Sequence, residues 1–319
     1  MAVPFVSVII PCRNEEKYIK KCLNSILKQD YPKETLEVLV VDGLSEDKTK
    51  EFVKEYTAKY PFVKIFENQK KIKAAALNIG IKESKGEIIA FADAHTEYQE
   101  DYISKSVNYL REYNADSVGG IIKIPLTQLA TLKARAIAIS LLSSFGAASS
   151  FRLGIEKPRY VDTVFNGCYQ REVFNNIGLF NEDLLRSQDL EFNLRLKKAG
   201  GKILLVPDIV FYYYPKENLK DFFWHNFKDG IWAILPLKFV KIPFKLRHYL
   251  PLIFVSALPW SILPYLPLTL FFSFKIALQE KDIRLFFLMP FAFAARHLGY
   301  GLGSAWGIAK LLLSHEKVT

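Results

Sequence analysis

The chain has 319 residues, of which half are hydrophobic, and it carries a formal net charge of +10. This length allows one large domain, or an ordinary domain with an appendage. The positive charge predicts either an anionic partner or only a solvated lysine-rich surface. No aromatic platform or DNA-reading motif accompanies the lysines, so we expect no nucleic-acid partner. Cys12, Cys22 and Cys168 form neither a metal-binding spacing nor a disulfide framework, which predicts structural thiols in a reducing compartment.

The first 95 residues alternate buried strands with amphipathic helices. The N-terminal "FVSVIIP" has no basic lead or cleavage site, so it predicts a first strand and a cytoplasmic domain rather than a signal peptide. Strands are predicted at 5–11, 36–43, 63–68 and 87–95, and helices at 15–29, 45–60 (capped by Ser45) and 74–84. This order predicts an α/β fold with right-handed βαβ units and a mostly parallel, doubly wound, Rossmann-like sheet.

Two later segments complete this first domain, which we predict to cover residues 1–215. "YVDTVFNGCYQREVFNNIGLFNEDL" predicts a strand, a turn and a helix. "LRSQDLEFNLRLKKAGGKILLVPD" predicts a helix that begins near Gln188-Asp189 and then another strand.

Polar residues follow the carboxyl ends of several predicted strands, where ligands bind in such sheets. They are Asn14-Glu15, Asp42, Asp93 and His95. Residues i and i+2 of an extended chain point the same way, so Asp93 and His95 can converge on one object. That object is a divalent metal, a phosphate held through the metal, or simply the other of the two side chains.

Six ordered motifs between residues 4 and 212 resemble glycosyltransferase family 2, of the inverting GT-A type. They are "VSVIIPCRNEE", "VVDGLSEDKT", "KAAALNIGI", "FADAH", "FNGCYQREVFNNIGLFNE" and "SQDLEFNLRLKKAGG". Within the family, "VDG", "DAH", "FGAASSFRLG" and "RHLGYGLGSAWGI" are most similar to the membrane-bound branch that builds succinoglycan-type exopolysaccharides. The resemblance implies a nucleotide-sugar donor and a divalent cation.

The metal-binding and donor-binding D-x-D pattern of the family falls on Asp93 and His95. The resemblance implies that Asp93 contacts the donor and that His95, with Asp93, binds the cation, unless His95 only bonds a neighbouring loop. Imidazole suits Mn²⁺ better than Mg²⁺, so we expect Mn²⁺. Metal binding should then weaken as His95 protonates, below about pH 6.5.

The resemblance assigns the general base to Asp189. The family has a Glu-Asp pair at this helix start, and here only the second carboxylate remains, after Gln188. A base is needed to deprotonate the acceptor hydroxyl. The alternative is that Asp189 only stabilises the helix dipole. Without a like charge at position 188, Asp189 is expected to be less basic than in the family.

The donor contacts implied by the resemblance are Pro11, Arg13, Glu15, Asp42, Lys73, Asn78 and Asp93. Lys73 could instead be a surface charge. Gly43 replaces an Asp that reaches the base, which leaves the nucleotide open, although UDP is expected before GDP. Acceptor-side candidates are Gly167-Cys168 as a tight turn, Gln188, His225, Lys228 and Trp232.

The C-terminal third predicts membrane attachment. Residues 250–274 are uncharged and long enough to span a bilayer, but their four prolines allow a re-entrant hairpin instead. A second apolar stretch, 285–313, contains Arg296-His297, which is either functional within the membrane or lies at its interface. Within 216–248, Lys238, Lys241 and Lys245 predict a basic interfacial helix on the cytoplasmic side. Membrane helices are predicted in 249–319.

The sequence therefore predicts a metal-dependent, inverting glycosyltransferase of the cell membrane that acts on a polyprenyl-linked acceptor in glycan or polysaccharide synthesis. One alternative is a polyprenyl-phosphate sugar synthase, whose acceptor is the lipid phosphate. Another is an inactive nucleotide-sugar-binding scaffold, because His95, Gln188 and Lys228 depart from the family pattern.

Overall fold

The computed structural model describes residues 3–146, 149–235 and 249–313. It divides into two compact units. Unit 1 comprises Met1–Lys123 and Gly154–Tyr214, and unit 2 comprises Ile124–Leu153 and Pro215–Thr319. The sequence prediction had placed 124–153 in the first domain, whereas in the structure this segment packs with the C-terminal residues.

Unit 1 contains nine strands and six helices in the described residues. The strands are β1 (Val6–Cys12), β2 (Leu36–Asp42), β3 (Val63–Glu67), β4 (Ile88–Phe91), β5 (Thr96–Tyr98), β6 (Ser117–Lys123), β7 (Arg159–Tyr160), β8 (Phe165–Gln170) and β9 (Ile203–Tyr213). Its helices are α1 (Ile19–Leu27), α2 (Thr49–Lys59), α3 (Lys73–Glu83), α4 (Tyr102–Glu112), α7 (Arg171–Ile177) and α8 (Gln188–Lys198), with a short 3₁₀ turn at Lys33–Thr35.

The strands form one mixed sheet in the order β3-β2-β1-β4-β8-β6-β9-β5, with β7 paired to β9. The four strands β3, β2, β1 and β4 are parallel, as predicted. Beyond them β8 runs antiparallel to β4 and β6, so the sheet is less parallel than the βαβ pattern indicated. The α/β fold itself is confirmed.

The core of unit 1 follows from the composition of its strands. Every residue of β2 is buried, and β1 is buried except at Pro11, because helices cover both faces of the parallel half of the sheet. The predicted cap of the second helix is wrong. Helix α2 begins at Thr49, and Ser45 instead donates from its hydroxyl to Asp42.

Unit 2 is helical in the described residues. Its helices are α5 (Leu132–Leu142), α6 (Ser150–Leu153), α9 (Leu219–Ile234), α10 (Leu250–Ser256), α11 (Ile262–Gln279) and α12 (Arg284–Leu313), with a 3₁₀ turn at Leu126–Gln128. By length and composition, α11 and α12 could each cross a membrane. The predicted interfacial helix with Lys238, Lys241 and Lys245 lies outside the described residues.

Candidate active site

The carboxyl ends of β1, β2 and β4 meet at one edge of the sheet. The three strands are parallel neighbours, with Cys12 opposite Asp42 and Ile9 opposite Phe91. Strand β4 ends at Phe91, earlier than predicted, so Asp93 and His95 lie in the turn that follows it rather than in an extended chain. The two side chains consequently take different partners.

Asp93 forms an ion pair with Lys73, which begins helix α3. The Lys73 ammonium donates to Asp93 Oδ1, and the Asp93 side chain is 10% exposed. Desolvation by itself raises the pKa of Asp93, but the positive charges of Lys73 and His95 outweigh it and hold this pKa below its ordinary value. Lys73 is therefore not merely a surface charge, because it neutralises the carboxylate at the centre of the site.

His95 pairs with Glu15 from the loop after β1. Its Nδ1 lies 3.4 Å from Glu15 Oε1, and both side chains are partly exposed. Burial lowers the pKa of His95, but the bond to Glu15 and the charge of Asp93 more than offset this and raise it above its ordinary value. Protonation should thus begin at a higher pH than the sequence prediction assumed.

Tyr98 positions the backbone of Asp93, a role that sequence reasoning missed. The Tyr98 hydroxyl accepts from the Asp93 backbone N–H at 2.8 Å and from the Asn166 amide at 2.6 Å. Tyr98 is buried within the core of unit 1. The only signal in the sequence was a tyrosine five residues after Asp93, and this spacing alone does not indicate that the two residues are in contact.

The loops after β1 and β2 hold one another in place. The buried Asp42 carboxylate accepts from the Ser45 backbone N–H at 3.0 Å and from the Ser45 hydroxyl at 2.5 Å. That hydroxyl in turn accepts from the Asn14 backbone at 2.9 Å. In this structure Asp42 organises the loop, and its contact with the donor stays a prediction.

Arg13 covers the position where the family pattern has a second aspartate. A Cβ atom on Gly43 would lie 3.2 Å from Arg13 Cβ and 3.3 Å from its Cδ. The Arg13 guanidinium is partly exposed and lies 3.9 Å from Glu46. A larger side chain at position 43 would therefore displace Arg13.

Asn78 was predicted to reach the donor, but its side chain is buried and bonded to the loop after α7. Its side chain is 4% exposed, donates to the Phe180 carbonyl and to Glu182, and accepts from the Phe180 backbone N–H. All of its hydrogen-bonding groups are engaged in joining α3 to the loop after α7. Asn78 is thus a structural amide.

One cavity connects the donor edge with the start of α8. The cavity is lined by Pro11, Lys73, Leu77, Phe91, Ala92, Asp93, Val164, Phe165, Asn166, Gly167, Tyr169, Phe180, Gln188 and Asp189. The structure therefore brings six predicted residues from five elements or turns into one space: Pro11, Lys73, Asp93, Gly167, and the neighbours Gln188 and Asp189. The aromatic residues that line the cavity were not predicted, because aromatic residues in a sequence usually indicate a hydrophobic core.

Asp189 lies in the first turn of α8 and is exposed to this cavity. Reduced solvation among the surrounding protein atoms raises its pKa above the ordinary value, although the nearby Lys73 ammonium opposes this shift. Its Oδ1 atom accepts a local bond from the Leu190 N–H at 2.9 Å. The raised pKa makes its carboxylate a stronger base than an ordinary aspartate, whereas the expectation that Asp189 is less basic than its counterpart in the family stays a prediction.

The acceptor-side candidates are dispersed. Gly167 lines the cavity, but Gly167-Cys168 lies within strand β8 rather than in a tight turn, because Cys168 pairs with Ala90 and Val118. The Cys168 side chain is fully buried in the core. In unit 2, three further candidates lie on α9: His225, which pairs with Asp229, Lys228, which is exposed, and Trp232, which is buried.

Comparison with known proteins identifies the family. The profile described as Glycosyl transferase family 2 matches residues 7–169. A glucuronosyltransferase of Methanococcus voltae, named for a dolichyl N-acetyl-glucosaminyl phosphate acceptor, is 36% identical over 68% of this chain and 69% of its own. The succinoglycan biosynthesis protein ExoA of Rhizobium meliloti is 27% identical over 70% of this chain and 67% of its own.

A solved structure extends the likeness to the whole chain. The mannosyltransferase PcManGT of Pyrobaculum calidifontis, in complex with GDP-Man and Mn²⁺, is similar over 98% of this chain and 88% of its own, with a TM-score of 0.66 and 21% identity. This likeness confirms the GT-A fold. Together with the family match, it shows that the chain belongs to glycosyl transferase family 2 and is a glycosyltransferase.

Proposed function

We propose that this enzyme transfers a sugar, with inversion, from a nucleoside-diphosphate sugar to a lipid-linked acceptor at the membrane. The observation that carries the proposal is the single cavity that joins the Lys73–Asp93 pair to Asp189. Such a space lets an acceptor hydroxyl near Asp189 and a leaving diphosphate near Lys73 approach the same anomeric carbon from opposite sides.

In this mechanism Asp189 is the general base. The acceptor oxygen forms a bond to the anomeric carbon while the bond from that carbon to the diphosphate oxygen breaks. The hydroxyl proton passes to Asp189, and the electron pair of the broken bond leaves with the diphosphate. A carboxylate with a raised pKa accepts this proton more readily.

Lys73 would stabilise the charge that develops on the leaving diphosphate. The Lys73 side chain is 42% exposed, so its ammonium can contact a ligand while it remains paired with Asp93. A fixed positive charge at the developing anion stabilises the transition state. Lys73 would also keep the Asp93 carboxylate ionised.

The residues present fit a divalent cation that is shared with the substrate. In the described ranges no group of three or more His, Cys, Asp or Glu side chains is arranged to hold a metal. Asp93 and His95 could supply two ligands, which fits a cation that takes its remaining ligands from phosphates and water. When bound, this cation would neutralise diphosphate charge. We propose Mn²⁺ because of the imidazole of His95.

The nucleotide and acceptor follow from the same resemblance. We propose a UDP-sugar before a GDP-sugar, with Arg13 packed over Gly43 at the position of the family's second aspartate. A lipid-linked acceptor is supported by the dolichyl-linked acceptor in the name of the M. voltae relative and by the apolar helices α11 and α12. We propose that the catalytic unit lies on the cytoplasmic side.

The test is release of nucleoside diphosphate, and sugar transfer to polyprenyl-phosphate or polyprenyl-diphosphate-sugar acceptors, from a panel of UDP- and GDP-sugars. Reactions contain Mn²⁺, Mg²⁺ or chelator, and compare the wild type with His95→Ala and His95→Asp. We expect one donor to be used only with metal, loss of activity with His95→Ala, and a changed metal preference with His95→Asp.

Other outcomes decide against parts of the proposal. Activity that ignores chelator and survives His95→Ala would make His95 structural. Transfer to the lipid phosphate itself, with Asp189→Asn still active, would identify a polyprenyl-phosphate sugar synthase. Nucleotide-sugar binding without turnover on any acceptor would indicate a scaffold.

A further inference from the structure

We infer that residues 177–182, here called the bridging segment, set the separation between Lys73 and Asp189. Asn78 and Arg195, which hold this segment, are then positioning residues for the transfer reaction. The inference rests on the proposed function, in which Lys73 and Asp189 act on opposite sides of one anomeric carbon. It is carried by hydrogen bonds from helices α3 and α8 to the backbone of this one segment, all of them within unit 1.

Helix α3 is joined to the bridging segment by Asn78. The Asn78 amide donates to the Phe180 carbonyl at 2.9 Å and to Glu182 Oε1 at 2.8 Å, and its oxygen accepts from the Phe180 backbone N–H at 2.9 Å. The side chain is 4% exposed, so water does not compete for these bonds. Lys73 lies five residues earlier on the same helix, so these bonds also fix the start of α3 relative to the segment.

Helix α8 is joined to the same segment by Arg195. The Arg195 guanidinium donates to the Ile177 carbonyl and, at 2.8 Å, to the Leu179 carbonyl. The Glu191 carboxylate, which is 3% exposed, also accepts from this guanidinium and so holds it in one orientation. Asp189 lies six residues before Arg195, in the first turn of α8. The helix that carries the base is thus bound to the segment that α3 also binds.

Phe180 contributes its ring as well as its backbone. The ring stacks on Phe192 of α8, with the ring centroids 4.4 Å apart, and meets Phe91 of β4 edge-on at 5.4 Å. It also lines the cavity that contains Lys73 and Asp189. One residue therefore contacts α3 through its backbone and α8 through its ring, and forms part of the cavity wall.

The sheet fixes the position of α3, and the bridging segment then places α8. A Cβ atom added to Gly80 of α3 would lie 2.4 Å from Ile9 Cγ2 of β1, so this helix lies directly against the strand. Residues 183–187 connect the segment to α8 along the chain, but only Leu184 among them is buried. The side-chain bonds of Arg195, rather than this connection, are therefore expected to hold α8 in place.

The separation matters because an in-line displacement needs the base, the anomeric carbon and the leaving oxygen to be aligned. A misplacement of about 1 Å can cost about 10²-fold in rate. The nucleotide contacts are predicted in the loops after β1 and β2, which are different elements. Loss of the bonds to the bridging segment should therefore affect the chemical step more than donor binding.

The first test variant is Asn78→Asp, which keeps the acceptor for the Phe180 N–H but removes both donated bonds. Gln29→Glu is its matched control. The Gln29 side chain is 3% exposed, donates to two backbone carbonyls and accepts from one backbone N–H. It is not among the residues that line the cavity. The control thus makes the same chemical change at another buried amide of unit 1.

We expect Asn78→Asp to lower kcat by about tenfold to hundredfold, while calorimetric binding of the nucleotide changes little. Gln29→Glu should lower the thermal midpoint similarly but keep kcat near the wild-type value. Arg195→Lys keeps the charge beside Glu191 but lacks the planar fork, so it should also lower kcat. This second variant decides the question if Asn78→Asp does not fold.

A distance measurement tests the spacing without an assay of transfer. Nitroxide labels are attached to the full chain at Lys82→Cys on α3 and Lys198→Cys on α8, two exposed positions, for pulsed electron paramagnetic resonance. The native cysteines are at most 6% exposed and should label little. We expect the distance distribution to shift or broaden by at least about 1 Å in Asn78→Asp. It should stay unchanged in Gln29→Glu.

An unchanged distance distribution in both Asn78→Asp and Arg195→Lys would overturn the inference. So would an equal loss of kcat in Gln29→Glu at an equal loss of stability, because the bonds would then act only through folding. If the distances respond as expected but no donor and acceptor pair supports transfer, the proposed function alone is refuted.

Discussion

The two units differ sharply in charge. Unit 1 contains 27 Lys and Arg and 27 Asp and Glu, whereas unit 2 contains the other 16 basic and 6 acidic residues. The whole net charge of +10 thus belongs to the unit that carries the apolar helices. In unit 1, many lysines are paired, among them Lys20 with Glu55, Lys50 with Glu67 and Lys197 with Asp162.

This difference changes how the net positive charge of the chain should be interpreted. The net positive charge of the whole chain predicted either an anionic partner or a solvated lysine-rich surface. An electrically balanced catalytic unit needs only local charges such as Lys73 to bind a nucleotide sugar. The excess of basic residues in unit 2 instead suits anionic headgroups or a phosphorylated lipid.

The largest predicted effect tests whether the chemistry belongs to unit 1. We expect Asp189→Asn to reduce kcat for transfer by about 10²- to 10⁴-fold, because the amide cannot accept the hydroxyl proton. Binding of the nucleotide, measured by calorimetry, should change little. Asp183→Asn, an exposed residue before α8, is the matched control and should retain activity. Equal losses in both variants would contradict the assignment.

The next largest effect tests the role of the Lys73 charge in unit 1, where acidic and basic residues are equal in number. We expect Lys73→Met to weaken transfer, as kcat/KM for the donor, by about tenfold to hundredfold, since a charge-assisted bond contributes about 1.5–3 kcal/mol. Initial rates over a range of donor concentrations measure this. The control is Lys82→Met, an exposed lysine of the same helix α3. If both variants behave alike, Lys73 acts only through net charge.

A third prediction concerns the packing of unit 2. Gly303→Leu should destabilise the protein by at least about 1–3 kcal/mol, although leucine favours helices more than glycine, because a Cβ there would lie 2.0 Å from the Phe227 carbonyl. Thermal inactivation in detergent measures the change. Ala305→Leu, at a half-exposed position of the same helix, should cost much less. A stabilised Gly303→Leu variant would contradict the close packing of α9 and α12.

The smallest effect is a shift in pH dependence. Asp189 must be ionised to act as a base, so kcat/KM should fall as the pH falls through its pKa, which lies above the ordinary 3.8. Because the Lys73 charge lowers this pKa, the acid limb should move to higher pH in Lys73→Met. A pH–rate profile of both proteins measures the shift. If the acid limb lies at the same pH in both proteins, the Lys73 charge does not influence the pKa of the base.

The parallel half of the sheet was predictable because its strands are continuous runs of Val, Ile and Leu between amphipathic helices. The same pattern predicted that Asp93 follows a strand and that Asp189 begins a helix. It could not predict that both residues line one cavity, because β8 pairs antiparallel with β4 and no local feature of the sequence indicates that pairing.

Other site residues could not be predicted because their partners are distant in sequence. Asn78 bonds with Phe180 and Glu182, more than 100 residues away, and the Tyr98 hydroxyl accepts from Asn166, 68 residues away. In unit 2, α5 was missed because an alanine- and isoleucine-rich helix inserted between β6 and β7 resembles part of the first domain. Its packing with 215–319 appears only in three dimensions.

The insertion of α5 has a practical consequence for anyone who wants a soluble catalytic fragment. Removal of everything after Tyr214 would delete the cluster around Phe293 and Met289 against which Ala136 and Ile139 pack. The fragment would then expose a helix that is apolar on most of its surface, and it should aggregate. A short polar turn that joins Lys123 to Gly154 directly, in addition to the C-terminal truncation, would remove both halves of the membrane unit together.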